Sequence, residues 1–203
     1  MSTTRRPGTL ITFLLLPMLI AGCGLKEEQE TRYYVINASP GLQALQTMSD
    51  SVVEITALNL PQYLERTQIV TRPSPQRLQI DEFNRWGGNL RKNLSRAMAR
   101  NLATLLGTPN VHVVPHLARG SVDFRVHLNV AQFEAVEGRS VVLLADWTIV
   151  RASDNRTVST QQVSLARELP PDAGMDQVVA AMEGVYGELS DAIARGLLAG
   201  KGG

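Results

Sequence analysis

The chain has 203 residues, a single cysteine and a formal net charge of +1, with 44% hydrophobic and 19% charged residues. One cysteine excludes an internal disulfide framework and a cysteine-cluster metal site. The near-neutral balance argues neither for nor against nucleic acid as a partner, and the hydrophobic fraction is that of an ordinary globular domain.

The first thirty residues differ in kind from the rest. Arg5 and Arg6 are the only charges before an apolar run, Leu10 to Ile20. A basic start and a short greasy stretch make an export signal, and the run is too short to span a bilayer, which takes about 20 apolar residues. Pro7 and Gly8 follow the arginine pair, so the general export route fits better than the twin-arginine one. The run closes as Ile20-Ala21-Gly22-Cys23, which resembles the bacterial lipobox. Small side chains let a peptidase hold the backbone before the cut, and the thiol takes a diacylglyceryl group. Residues 1–22 are therefore expected to be a signal peptide, with Cys23 the lipid attachment site and new N-terminus. Each buried methylene contributes about 0.8 kcal/mol, and stable anchoring takes two chains or signals. Gly24 stands where similar lipoproteins held at the inner membrane usually carry Asp, so the resemblance points to the outer membrane. Residues 23–32 read as the lipidated cysteine and a polar tether, about 30 Å long at ~3.3 Å per residue.

Residues 33–199 read as one domain and 200–203 as a tail. Residues 33–36 (YYVI) predict a first strand and 51–60 a second, ending at Pro61. Residues 67–81 predict a hairpin across two prolines. Asn89 to Leu106 is a helix: Leu90, Leu94, Ala97, Met98, Leu102 and Leu105 recur at three- and four-residue steps. Asn89 is its cap and Gly107 its stop. Residues 111–114 predict a short strand. Val122, Phe124, Val126, Leu128 and Val130 alternate with polar residues, and the phase slips after 130, which predicts a bulge near 130–132. Residues 140–150 and 158–169 complete an antiparallel meander. Asp172 is expected to cap a last helix running to about Leu198, with Val178, Met182, Val185, Leu189, Ile193 and Leu197 as its buried stripe. The order predicts an α/β (α+β-like) domain, a mixed or antiparallel sheet with two main helices packed on it.

The mature chain carries no nucleophile elbow, phosphate loop or H-E-x-x-H motif. His112 and His116 lie on a strand broken by Pro115, a poor frame for a metal. His127 sits on the polar side of a strand. Asp146 is expected to be buried and paired with an arginine. No catalytic residue, metal or cofactor is predicted beyond the lipid on Cys23. Charge is distributed unevenly: from residue 84 to 121 there is no Asp or Glu, while Arg85, Arg91, Lys92, Arg96, Arg100 and Arg119 are present. Lys92, Arg96 and Arg100 follow at four-residue steps and share a helical face. That face is either solvated and balanced by acids from elsewhere in the fold, or a contact for anionic headgroups or an acidic partner. Export and the lack of an aromatic RNA motif leave nucleic acid the weakest reading.

Residues 67–107 bring a resemblance into view. Pro61, Tyr63, Leu64, Arg66, Gln68, Ile69, Val70, Thr71 and Arg72 form a run, Glu82, Arg85 and Trp86 follow, and Asn101 to Gly107 end a helix. With Tyr33-Tyr34 ahead of them, these motifs resemble the PqiC/YmbA family of ABC-type transport auxiliary lipoproteins. Gly87-Gly88-Asn89 departs from it where the family often has proline. The resemblance implies a non-catalytic, outer-membrane-anchored lipoprotein facing the periplasm. Its partners would be an MCE-domain protein with that protein's inner-membrane partner, and the phospholipid membrane, in a lipid-transport system that supports membrane integrity. Self-association stays open. Tyr33, Tyr34 and Trp86 are the expected shapers of a contact surface, with Trp86 also suited to a core edge and Glu82–Arg85 to an ion pair. The alternatives are an independent lipid carrier, which needs a chamber between helix and sheet, and an anchored hydrolase, which needs a converging acid, base and nucleophile.

Overall fold

The computed structural model describes residues 2–3, 30–115 and 121–202. Cys23, most of the tether, His116 and Arg119 lie outside them. Eight strands and two helices follow in the order β1 (Arg32–Tyr34), β2 (Val53–Asn59), β3 (Gln68–Ser74), β4 (Arg77–Trp86), α1 (Leu90–Leu105), β5 (Val111–Val113), β6 (Phe124–Val136), β7 (Ser140–Arg151), β8 (Arg156–Glu168) and α2 (Met175–Lys201). They form one mixed, open sheet with both helices packed on it, a single-domain α+β fold.

Strand β6 organises the sheet. One edge runs antiparallel to β7, which pairs onward with β8. The other edge is shared: β2 lies parallel to its first half and β3 parallel to its last residues. Beyond them β5 adds to β2, and β4 and β1 add to β3, giving the order β1-β4-β3-β6-β2-β5. The register of β6 against β7 shifts between Val130 and Gln132, where the hydrophobic phase slips in the sequence. An extra residue there turns Phe133 and Ala135 inward, and both are buried.

Along β7 the odd positions Val141, Leu143, Ala145, Trp147 and Ile149 are buried, while the even ones are half-buried. The odd face carries the helices. Helix α2, about 40 Å long at 1.5 Å per residue, buries the whole predicted stripe from Val178 to Leu197 against β6, β7 and β8. Full burial of such side chains is worth roughly 1.5–3 kcal/mol each. Gly187 and Gly200 let the helix approach its neighbours closely, since a Cβ at either would collide with Ser39 or with Val158. The helix cap falls two residues later than Asp172. Ala173 N–H closes a turn onto the Pro170 carbonyl at 3.0 Å. The cap is Gly174, whose N–H donates to Gln177 Oε1 at 3.0 Å.

The hairpin of β3 and β4 reaches further than residue 81. Gln68 pairs with Arg85 but Val70 with Ile80, so β4 carries extra residues between. Asp81 holds that bulge: its carboxylate accepts from the Phe83 and Asn84 amides at 2.9 and 2.8 Å and from Asn84 Nδ2 at 2.8 Å. Burial works against the charge, but these hydrogen bonds outweigh it and hold the carboxyl below its ordinary range. The bulge brings Asn84, Arg85 and Trp86 into parallel register with β1.

Candidate functional site

Helix α1 has two faces. Its start is fixed by Asn89, whose side chain accepts from Lys92 N–H at 3.0 Å. Leu90, Leu94, Ala97, Met98, Leu102 and Leu105 are buried against the sheet and α2. Tyr186 of α2 donates its buried hydroxyl to the Leu94 carbonyl at 3.0 Å, and burial pushes that phenol's pKa up. The opposite face presents Arg91, Lys92, Arg96 and Arg100, all exposed. Arg91 forms an ion pair with Glu65. Lys92, Arg96 and Arg100 have no carboxylate partner among the described residues. The first turn holds no acid either, so its cations stand at the positive end of the helix dipole, an unfavourable placement. Like charges at four-residue spacing add a further few tenths of a kcal/mol of repulsion. Apart from Glu65, then, no carboxylate among the described residues forms an ion pair with this face.

Beside this face runs a groove of about 590 Å³, bounded by Arg91, Lys92, Ser95 and Arg96 on one side and by β2, the last residue of β5 and the following Val114 and Pro115 on the other. It joins three of the basic residues singled out from the sequence. Arg100 lies a turn beyond it, and Arg85 lies on β4, where its Nε donates to the Glu82 carbonyl at 3.3 Å. The expected Glu82–Arg85 ion pair is therefore replaced by a side-chain-to-backbone bond. Tyr33 is 67% exposed. Tyr34 is half-buried, with its hydroxyl buried and unpartnered. Trp86 is 4% exposed and belongs to the core. Its core-edge reading holds, and it offers no surface for contact.

Two features escape sequence reasoning. The first is Glu134, 0% exposed. Its carboxylate accepts from Tyr63 Oη at 2.6 Å, Arg72 Nε at 2.6 Å and Gln132 Nε2 at 2.9 Å. Burial and then the carboxylate raise the Tyr63 pKa, and the separate hydrogen bond of Arg72 to Glu134 raises that of Arg72. Tyr63 and Arg72 both stand in the motif run after Pro61. Their presence there is the signal that a buried acid awaits them. The second is the segment after β1, which is strapped across both helices. Asn93 pairs with both the N–H and the carbonyl of Ile36 at 2.7 and 3.0 Å. Asn101 accepts from Ser39 N–H at 2.9 Å and donates to Ser190 at 2.9 Å, and Glu183 accepts from Asn37 N–H at 2.8 Å.

Among the described residues Asp146 forms no ion pair with an arginine. It lies half-buried on the open face of the sheet and accepts from its cross-strand neighbour Asn129 at 2.8 Å. His127 is exposed and meets Thr56 Oγ1 at 2.9 Å. His112 is half-buried in register with Glu54. Leu94, Met98, Leu102, Leu189 and Ile193 fill the contact between helices and sheet, and the depressions lie at its rim. Among the described residues no helix is long and apolar enough to cross a membrane.

The domain is a mixed sheet carrying two helices, with a basic flank on α1, and comparison gives it a family. The chain belongs to the family of ABC-type transport auxiliary lipoprotein components, matched over residues 34–194. Its fold is shared with a protein from Xanthomonas campestris at a TM-score of 0.64 and 17% identity, covering 84% of this chain and 97% of that one. A second crystal structure, of an uncharacterized protein, matches at 0.61 and 20%, covering 83% and 99%. None of the curated proteins matches.

Proposed function

We propose that this chain is a non-catalytic accessory lipoprotein, anchored through Cys23 at the outer membrane. Its domain faces the periplasm and serves an MCE-type ABC system that moves lipid across the envelope. The observation that carries the reading is the family match, which covers almost the whole domain and begins shortly after the lipobox cysteine. The unbalanced cations of α1 support a role in contact with anionic surfaces or partners. The buried side chains between helices and sheet, Leu94, Met98, Leu102, Leu189 and Ile193 among them, favour this reading over the independent carrier.

The test is affinity purification of the tagged, lipidated chain from detergent-solubilised envelopes, with mass spectrometry of proteins and lipids together. Co-recovery of an MCE-domain protein and its inner-membrane partner is the expected result. Recovery of the chain alone with stoichiometric phospholipid would transfer the reading to a carrier. Recovery of neither would leave the transport role without support.

A further inference from the structure

Two basic depressions among the described residues differ in what their cations are doing. One, of about 670 Å³, lies between β8 and the end of α2 and is lined by Arg151, Arg156 and Arg195. Two of these are engaged: Arg195 Nε is 2.6 Å from Asp191 Oδ2, and Arg151 donates to the Gly200 carbonyl at 3.1 Å and lies 3.9 Å from Asp154. The other is the α1 groove. There Arg91 is taken by Glu65, but Lys92 and Arg96, one turn apart, have no carboxylate partner among the described residues. The wall facing them has an apolar part, Val113, Val114 and Pro115, beside β2 residues that include Thr56 and Asn59, and Val114 is 40% exposed.

We infer that this groove binds the anionic headgroup of a phospholipid. Lys92 and Arg96 meet the phosphate, and the Val113–Pro115 wall meets the glycerol and the first methylenes. The pairing of chemistries favours this occupant over an acidic peptide, which would satisfy the cations but leave the apolar wall against polar groups. Long basic side chains suit the interface, since their stems lie on apolar surface while their ends reach a polar layer. A groove of this volume falls in the range of small-ligand sites, about 300–1,000 Å³, and takes a headgroup rather than a whole lipid. The inference rests on the membrane-anchored reading above. The short tether from Cys23 to Arg32 would hold the groove at high effective concentration near the bilayer.

The lipidated full chain would be placed in phosphatidylcholine nanodiscs with and without phosphatidylglycerol, and amide hydrogen exchange followed along α1 and β5. The expected result is roughly tenfold slower exchange at residues 91–96 and 111–114 with phosphatidylglycerol present. That protection should be lost in the double variant Lys92→Glu, Arg96→Glu and kept in Arg156→Glu, which alters the other depression. Free inorganic phosphate should not reproduce it. Equal exchange in both kinds of disc overturns the inference, as does protection that survives the double variant. Equal protection by hexaglutamate on neutral discs also overturns it, in favour of an acidic peptide. The anchor is read separately, from the mass of the Cys23 peptide, so a failed anchor and a failed groove are told apart.

Discussion

The two helices are held in different ways. Helix α2 is committed to the core: its stripe is buried from Val178 to Leu197. Several of its outward charges are tied down, Glu183 to Asn37, Glu188 to Arg167 at 2.5 Å and Asp191 to Arg195 at 2.6 Å. Helix α1 is committed on one side only. Its inner face is as apolar as that of α2, but its outer face lines up Lys92, Arg96 and Arg100 without partners among the described residues. In α2, then, burial and charge pairing both serve stability. In α1 the outer charges work against it by a few tenths of a kcal/mol, which fits the contact role proposed for that face.

The comparison predicts a graded set of responses. Leu189→Ala should cost about 2–5 kcal/mol in denaturant unfolding, because the cavity opens beneath the middle of α2, where neighbours cannot collapse onto it. Loss under about 1 kcal/mol would mean that α2 is less tightly seated than its burial indicates. Tyr63→Phe removes a donor from the buried Glu134 carboxylate and should cost about 1–3 kcal/mol, read in the same assay. Gly187→Ala gains about 1 kcal/mol of helix propensity but drives a methyl into Ser39. A net loss of about 1 kcal/mol is expected, with faster exchange at the Asn37 and Ser39 amides. A stabilised variant with unchanged exchange would show that the strap yields freely and does not couple the helices.

Legibility in the sequence followed locality. The slip at 130–132 was readable because a strand's hydrophobic period is two and one extra residue inverts it. Helix α1 was readable from its cap Asn89, its stripe and its stop Gly107. The parallel pairings of β2 and β3 with β6 were not, since they join residues far apart in the chain and leave no local mark. The bulge at Asp81 was also hidden. Its carboxylate answers amides two and three residues on, and many aspartates in loops can do that. Asp146 shows the opposite error: an acid in an apolar strand looks buried until the sheet is known to have an open face. Of the site, the basic face was legible from i, i+4 spacing. What was not legible was the Val113–Pro115 wall, the Glu65 partner of Arg91 and the burial of Trp86, each of which depends on the tertiary arrangement.

The smallest expected effect is the most informative. Replacing Lys92, Arg96 and Arg100 together by glutamine keeps long, helix-compatible side chains and removes charge. No ion pair among the described residues is broken, and two like-charge spacings are relieved. Stability should therefore stay within about 0.5 kcal/mol, shifted upward if at all. Co-purification of envelope partners and protection on anionic discs should both weaken. Loss of stability by more than about 1 kcal/mol would mean that the face is part of the fold's own charge balance, and the contrast between the helices would lose its functional meaning. Unchanged stability with unchanged partners and lipids would place the contact surface elsewhere, with exposed Tyr33 on β1 the next side chain to replace.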